Sequence, residues 1–165
     1  MGVASQSHQR EQKRGLRRNE QKWTPALMDA GWTLLPSVIL ERQQALGLDA
    51  TDINILLHLI RHWWYSDNLP RPSKRAIAEC MGVDVSTIRK RIARMEGDGL
   101  IKRVARHHRE HGQQSNSYDL SGLIETARPY AAESIAAREQ RRREAAQRRT
   151  RKAHRLKVAG GTDGE

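Results

Sequence analysis

The segment 72–92 constrains the fold of this chain more than any other, because it predicts two short helices joined by a glycine turn. Ser73 can cap the first helix, since a serine oxygen accepts hydrogen bonds from the free N–H groups of a first turn. Gly82 allows the tight turn, and Asp84 can cap the second helix, which is predicted to end near Glu96. This helix, turn and helix form the centre of the predicted domain.

The second helix of this pair has one apolar face and one cationic face. Ile88, Ile92 and Met95 recur three and four residues apart and are predicted to face the core. The opposite face fits the major groove of DNA, which admits one α-helix and where arginine or lysine can bond guanine. The alternative is a polar face that only meets water, but the preceding short helix and glycine turn favour a helix-turn-helix. The predicted DNA-binding residues of the two helices are Ser73, Lys74, Ser86, Thr87, Arg89, Lys90, Arg91 and Arg94.

A cationic hairpin is predicted to follow. Residues 97–99 break the second helix, residues 100–106 are typical of a strand, and residues 116–120 are typical of the strand that returns. Cations cluster on the first strand and at the tip, which predicts phosphate contacts; the alternative is an edge strand that charge only protects. The predicted phosphate-binding residues are Lys102, Arg103, Arg106 and Arg109. The expected fold class is mainly α with a small β-hairpin wing, a winged helix-turn-helix with basic tails.

Another helix is predicted to begin after Asp49 or Thr51, either of which can cap it. Its apolar residues fall at helical spacing on two sides. One face carries Ile53, Leu56, Leu57, Ile60 and Trp64, and the other carries Ile55, Leu59 and Trp63. The second face is expected to pack against the segment 32–46, which is predicted to hold a helix that Gly47 ends. Alternatively, this face or the helix that begins at Tyr130 forms the contact of a homodimer.

Charge divides the chain into a nearly neutral body and two cationic arms, within a net charge of +11. Residues 1–22 hold six basic and two acidic side chains, and residues 138–157 hold ten and two. Such arms are typical of proteins that bind polyanions. The predicted domains are a disordered basic arm (1–25), a winged helix-turn-helix domain (26–128), an Arg/Ala-rich C-terminal helix (129–157) and a flexible tail (158–165). Within the domain, a short helix is expected from Ser121 to Pro129.

Several classes of protein are disfavoured by what the sequence lacks. The single cysteine, Cys80, excludes an internal disulfide, and its place beside Met81 predicts a buried thiol. Neither a secretory signal nor an apolar run long enough to span a membrane is evident, so we expect a cytoplasmic protein. There is no phosphate-binding glycine loop and no paired acid and base, so we predict no cofactor, no catalytic residue and no enzymatic activity.

The histidines are not expected to bind metal. His58 and His62 stand one helical turn apart, but Leu59 follows His58 where a metalloprotease needs glutamate. Packing of the imidazoles against Trp63 or Trp64 is favoured instead. A second group lacks a fourth ligand nearby in the sequence and consists of His107, His108 and His111.

The run from Trp32 to Ile124 resembles the helix-turn-helix domains of plasmid and phage replication proteins and of small regulators of mobile elements. The motifs that carry the resemblance are Trp32 with Leu35-Pro36, the helix 56–64, Pro72-Ser73, residues 78–82, Thr87-Ile88, residues 99–101, and the run from Asn116 through Tyr118-Asp119-Leu120 to Gly122-Leu123-Ile124. The resemblance implies binding of duplex DNA, and the positions that match the recognition helix are Ser86, Thr87, Arg89, Lys90 and Arg94. The longer initiators carry a second folded domain for recruiting replisome proteins, which this sequence does not show.

The sequence is compatible with three functions. The first is sequence-specific binding of double-stranded DNA by a transcriptional regulator. The second is a plasmid or phage replication initiator or accessory protein that binds origin repeats. The third is an RNA-binding protein that uses the arginine-rich C-terminal helix. Double-stranded DNA is the predicted partner, with a homodimer left open and no membrane contact expected.

Overall fold

The described structure is mostly helical with a small antiparallel hairpin, as the sequence predicts. It is a computed structural model that describes residues 18–108, 112–113 and 115–159. After a helical stretch at residues 18–23, the helices are α1 (Pro25–Asp29), α2 (Ser37–Glu41), α3 (Ala50–Ile60), α4 (Lys74–Met81), α5 (Val85–Gly97) and α6 (Ser121–Ala159). The strands are β1 (Lys102–Val104), β2 (His107–His108), β3 (Gly112–Gln113) and β4 (Ser117–Asp119).

The helix-turn-helix is formed by α4 and α5, and both helices begin at the predicted caps. The Ser73 hydroxyl accepts a hydrogen bond from the Ala76 N–H at 3.0 Å, and an Asp84 carboxylate oxygen accepts one from the Ser86 N–H at 2.6 Å. Gly82 joins the helices with a φ of 65°, in the left-handed region that glycine adopts without strain. These three predictions are confirmed, and α5 ends within one residue of its predicted end.

The core lies between α3 and the two helices of the helix-turn-helix. Ile55, Leu56 and Leu59 of α3 have no exposed surface, and neither do Ile88 and Ile92 of α5. Burying an aliphatic side chain of this size contributes about 1.5–3 kcal/mol relative to leaving it exposed. Because Ile55 and Leu59 are buried within one chain, the alternative in which they form a dimer contact is wrong. The other core residues are Ile39, Leu46, Leu48, Ile53, Ile77, Ala78, Met95, Leu100, Ile101, Tyr118, Leu120, Leu123 and Ala127.

The predicted wing is a β-hairpin in two parts. β1 pairs antiparallel with β4, with Arg103 opposite Tyr118, and farther out β2 pairs with β3. The Tyr118 N–H also donates to the Pro70 carbonyl at 2.9 Å, so the base of the wing is attached to the loop before α4. Residues 109–111 and 114 lie outside the described part of the hairpin.

α6 is one continuous helix of 39 residues, whereas the sequence predicts a break at Pro129. An interior proline removes one helical hydrogen bond and costs about 3 kcal/mol. Contacts on both sides of it hold this helix together. Ala127 is buried in the core, while the Arg42 guanidinium lies 5.8 Å from the ring centre of Tyr130 and 3.7 Å from the Glu133 carboxylate. The predicted break is therefore wrong, and the C-terminal helix continues directly from the domain.

α3 ends four residues before its predicted apolar face does. The next turns are closed by bonds between residues three apart, from the His62 N–H to the Leu59 carbonyl at 3.0 Å and from the Trp63 N–H to the Ile60 carbonyl at 2.8 Å. Tight turns of this kind commonly end α-helices. Trp64 therefore leaves the helix with 67% of its surface exposed, and its predicted place on the buried face of α3 is wrong.

The N-terminal part also differs from its prediction. Residues 18–23 are helical, although the sequence predicts a disordered arm through residue 25; residues 1–17 lie outside the described part. Pro25 begins α1, at the first helical position, where proline is tolerated. The helix predicted to continue to Gly47 is shorter, because α2 ends at Glu41 and residues 42–47 form turns.

α6 begins in close contact with the turn that follows α5. The Leu123 N–H donates to the Leu100 carbonyl at 2.8 Å. A Cβ atom on Gly122 would lie 1.9 Å from the Gly99 carbonyl oxygen, which no side chain can occupy without moving the backbone. The glycine at position 122 therefore allows α6 to pack against the junction between α5 and the wing.

Candidate nucleic-acid interface

The outward face of α5, which we define as Ser86, Arg89, Lys90 and Ala93, is exposed and cationic. On the opposite side of the helix, Ile92 has no exposed surface. Within the described part of the chain, neither Arg89 nor Lys90 forms an ion pair. Ser86 and Ala93 are small, so a partner could approach the helix axis closely. This face offers a hydroxyl group and two cations that have no ion pair among the described residues.

One flank of the same helix is held by carboxylates of α3 and its cap. We define Arg91, Arg94, Asp49 and Asp52 as the arginine clamp. The Arg91 guanidinium donates to Asp49 and lies 3.8 Å from Asp52, and the Arg94 guanidinium donates to Asp52. The Asp52 side chain is entirely buried, while 33% of the Arg91 side chain and 41% of the Arg94 side chain are exposed. Both arginines, which the sequence predicts to bind DNA, thus have partners inside the protein.

The two carboxylates of the clamp also cap α3. Asp49 accepts a bond from the Asp52 N–H at 3.0 Å, and Asp52 accepts one from the Asp49 N–H at 2.9 Å. Burial acts to raise the pKa of Asp49, but hydrogen bonds from Asp52 and Arg91 lower it below 3.8. Burial and the neighbouring Asp49 carboxylate raise the pKa of Asp52, and together they outweigh the hydrogen bond from the Asp49 N–H and the charge of Arg94. Burying a charged Asp52 therefore costs free energy that the arginines offset only in part.

A polar pocket of about 260 Å³ lies between the starts of α4 and α5 and the base of the wing. Lys74 and Arg89 line this pocket. Partial burial lowers the pKa of Lys74, and the positive charges of Arg103 and Arg89 lower it further. An anion in the pocket would relieve this repulsion, and the first turn of α4 also favours negative charge. The other lining residues are Ser73, Arg75, Val85, Ser115, Asn116 and Tyr118.

Arg103 ties the wing to the end of α5 through Glu96. The Arg103 backbone N–H donates to one Glu96 carboxylate oxygen at 3.0 Å, and its Nε donates to the other at 2.5 Å. The hydrogen bond from the Arg103 side chain lowers the pKa of Glu96 below 4.5, despite partial burial. Like the arginines of the clamp, Arg103 therefore has a carboxylate partner within the protein.

The predicted DNA-binding residues fall into four settings. Those that are exposed and without an ion pair among the described residues are Ser86, Arg89, Lys90 and Lys102. Those that are half-buried are Ser73, Lys74, Thr87 and Arg106. Those that are paired with a carboxylate are Arg91, Arg94 and Arg103. Arg109 lies outside the described residues, and for all twelve residues DNA contact stays a prediction.

Sequence reasoning missed two kinds of residue at this site. It did not identify Asp49, Asp52 or Glu96 as partners of the predicted cations. It also missed Ser115 and Asn116, which line the polar pocket beside Lys74. The polar turn before the returning strand was the only available signal for these last two. No sequence spacing indicates the carboxylates, because 42 positions separate Asp52 from Arg94.

The Cys80 thiol is not buried as the sequence predicts, and the histidine side chains are described only in part. Cys80 is exposed, so the prediction of a buried thiol is wrong. It lies two residues after the buried Ala78, about 200° around α4 from it. His58 is half-buried, and burial lowers its pKa, as do the charges of Arg61 and His62. The side chains of the group at residues 107–111 lie outside what the structure describes.

The described residues contain neither a cluster of metal ligands nor a membrane-spanning helix. No group of three or more His, Cys, Asp or Glu side chains within residues 18–108, 112–113 and 115–159 is arranged to hold a metal ion. In the same part of the chain, no helix combines the length and the apolar character that crossing a membrane requires.

The central part of the chain also matches a known family. Residues 46–101 match the model of a family described as a helix-turn-helix domain. The match begins just before α3 and ends where the wing begins, so it includes the arginine clamp and the outward face. No match was found among curated protein sequences.

Three solved structures have a backbone that aligns with that of this chain, each at 20% sequence identity. The N-terminal domain of DnaD from Geobacillus kaustophilus HTA426 aligns over 74% of this chain and 96% of its own, with a TM-score of 0.49. YusO from Bacillus subtilis aligns over 93% and 98% at 0.40, and the transcriptional regulator PA3341 over 87% and 96% at 0.37. From its own geometry and the family match, the region 46–101 is a helix-turn-helix domain, and a wing follows it.

Proposed function

We propose that the chain is a transcriptional regulator that binds double-stranded DNA in a sequence-specific manner. The observation that carries the proposal is the outward face of α5, where Arg89 and Lys90 are exposed and have no ion pair among the described residues. A helix with such a face fits the major groove, where arginine and lysine bond the O6 and N7 acceptors of guanine. Regulation would follow from occupancy of an operator or promoter, so the activity is one of binding without a chemical step.

Phosphate contacts would hold the outward face in register on the duplex. The polar pocket is the first candidate, since a phosphate there would offset the partial burial of Lys74 and the repulsion from Arg103 and Arg89, which lower the pKa of Lys74. The wing would contribute Lys102 and Arg106. The basic stretch 138–157 of α6 would add attraction over a longer range. Contacts of this kind do not depend on base sequence and weaken as salt increases.

The arginine clamp has a different role in this proposal. The charges of Arg91 and Arg94 are already neutralised in part by Asp49 and Asp52. We expect the clamp to set the angle of α5 against α3, and Arg103 to set the position of the wing. Only the exposed third or so of each of these side chains would be available to a phosphate.

Selection of bound duplexes from a random pool tests the proposal with the full chain. We expect one motif to be enriched, and Lys90→Ala to relax base preference at one or two of its positions. Arg128→Ala is the matched control, because it removes an exposed α6 arginine whose ion pair with Glu125 spans 2.9 Å. This control should leave the motif intact. Enrichment of no motif, or preference for structured RNA over duplex at the same salt concentration, would contradict the proposal.

The genomic position of the enriched motif separates regulation from replication. Overlap with a promoter supports the proposed regulator. Iterated copies of the motif with origin activity on transfer would instead support the alternative, a plasmid or phage replication initiator or accessory protein. The two roles would use the same DNA-binding surface, so only the location and activity of the site distinguish them.

A further inference from the structure

A second cavity lies at the opposite end of α3 from the arginine clamp. It has a volume of about 390 Å³ and is enclosed by residues before and within α2, the end of α3 and the start of α6. Ile60, which lines it, is about 12 Å along the helix from Asp52 of the clamp. We define it as the tryptophan pocket, because Trp32, Trp63 and Trp64 all line it. It is therefore separate from the surface proposed to bind DNA.

The mouth of the tryptophan pocket exposes large apolar side chains. Trp64 has 67% of its surface exposed, Trp32 47% and Ile124 43%. Apolar side chains grouped around one cavity, unlike those scattered singly, mark binding sites. The volume falls in the range of pockets that hold small molecules, about 300–1,000 Å³. The indole rings would stack on a flat ring, in the offset or edge-on arrangements that aromatic pairs prefer.

The polar groups of the tryptophan pocket indicate the charge of its ligand. Arg61 is the only charged residue among the described residues that line it, and no described carboxylate lies within ion-pair distance of Arg61. The Trp63 indole N–H is buried and has no acceptor among the described residues. Both groups are donors, which favours an anion over a cation.

We propose that the tryptophan pocket binds a small aromatic anion, with its ring among the indoles and its carboxylate or sulfonate group on Arg61. The apolar walls select the ring, and the Arg61 guanidinium selects the charge. A second copy of this chain is the competing occupant. An exposed arginine without an acidic neighbour in the pocket fits a small anion better than an apolar protein surface.

The test uses 1-anilinonaphthalene-8-sulfonate as the probe, titrated into the full chain in the absence of DNA. Its uncharged counterpart is N-phenyl-1-naphthylamine. We expect saturable binding of the sulfonate at one site per chain, with a change in tryptophan emission. Arg61→Gln should weaken sulfonate binding about fivefold, as expected for loss of one partly exposed ion pair, and should leave binding of the uncharged probe unchanged.

A second pair of variants tests the position of the site without altering Arg61. Ile124→Glu places a carboxylate at the mouth and should weaken sulfonate binding. Ile135→Glu is the matched control, because Ile135 is an exposed residue of the same helix that does not line the pocket. Circular dichroism and the thermal midpoint would establish that each variant folds.

Three outcomes would overturn the proposal. They are binding that does not saturate, equal sulfonate binding by Arg61→Gln and the unchanged chain, and a sedimenting dimer that excludes the probe. Because no DNA is present in these measurements, failure here is distinguishable from failure of DNA binding.

Discussion

The outward face and the two arginines of the clamp lie on the same helix, α5, but their cations have different surroundings. Arg89 and Lys90 are exposed and have no ion pair among the described residues, whereas Arg91 and Arg94 contact carboxylates of α3 and its cap. Lys90 and Arg91 are adjacent in sequence, and a step of one residue rotates a side chain by 100° around the helix. What a cation of α5 can contact therefore depends on what it faces, and not only on its place in the sequence motif.

The two regions should also respond differently to mutation. If the proposal holds, a cation of the outward face would bind a base or a phosphate without leaving a partner among the described residues. A cation of the clamp links α5 to α3. Its removal should therefore lower the stability of the fold more than it affects a contact with DNA. We therefore expect changes in the clamp to act on stability, and changes in the outward face to act on binding.

The largest effect is expected from Asp52→Ala, which would break the clamp. This change removes the carboxylate that Arg91 and Arg94 approach and the cap of the Asp49 N–H, and it leaves a cavity at a fully buried position. Breaking a buried ion pair costs about 3–5 kcal/mol, but these arginines are partly exposed and can be solvated. We expect a loss of about 2–3 kcal/mol in the free energy of unfolding, measured with urea.

Asp52→Asn is the matched control for this prediction. Asparagine keeps the volume and an acceptor for the Asp49 N–H. Because burial raises the pKa of Asp52, the charge itself adds little net stability, and the loss should be below about 1 kcal/mol. Equal losses from the two substitutions would contradict the expectation that the charge of Asp52 adds little net stability.

The next largest effect is expected on DNA binding from Arg89→Ala and Lys90→Ala. Each should weaken binding to the enriched duplex by about 1–2 kcal/mol relative to random duplex, because a base contact is lost. Their free energies of unfolding should change by less than about 0.5 kcal/mol, as is usual for exposed positions. Fluorescence anisotropy at one fixed salt concentration measures the binding.

Arg94→Ala provides the comparison from the clamp. It should lower the stability of the fold and weaken binding to enriched and random duplex together. If Arg94→Ala instead changed base preference without changing stability, the distinction between the two regions of α5 would be lost.

A smaller effect is expected from Glu96→Gln, and it depends on pH. The hydrogen bond from Arg103 lowers the pKa of folded Glu96 below 4.5, so its stabilising contribution is present above that pH and is lost as the pH falls through the folded value. Since Arg103 is 35% exposed, the variant should lose at most about 1 kcal/mol at neutral pH. Its further loss between pH 5 and pH 3, about the range in which carboxylates titrate, should be smaller than that of the unchanged chain. Thermal midpoints across this range measure the difference, and parallel curves would count against the ion pair.

The smallest effect is expected from Arg149→Ala, on the exposed part of α6. It should weaken binding to enriched and random duplex alike, by less than about 0.5 kcal/mol, because an exposed charge is screened by salt. The slope of binding against salt should fall by about one or less. A selective loss for the enriched duplex would place this arginine at a base instead of a phosphate.

The centre of the fold could be predicted from the sequence because its signals are local. Ser73 and Asp84 bond to N–H groups two or three residues away, and Gly82 needs only its own conformation. Apolar spacing alone also predicts the buried side of α5. Each of these features depends on residues within one or two helical turns of each other, so the local sequence contains the information that predicts it.

The features that could not be predicted depend on distant residues. The partners of the clamp are 42 positions apart and meet only because α3 packs against α5. The rule that proline ends a helix is outweighed at Pro129 by tertiary contacts of Ala127 and Tyr130. The helical spacing of apolar residues continues as far as Trp64, past the end of α3. Spacing alone does not show where the backbone hydrogen bonds change to bonds between residues three apart.

The continuity of α6 through Pro129 has a consequence for the length of DNA that the chain could protect. The part of α6 from residue 135 to residue 159 rises about 37 Å, close to the 34–36 Å of one turn of B-form DNA. Laid along a duplex, it would shield a further stretch of about ten base pairs on one side of the bound domain from nuclease digestion. The footprint would then be asymmetric around the motif that α5 is proposed to read, and its longer side would give the orientation of the bound chain.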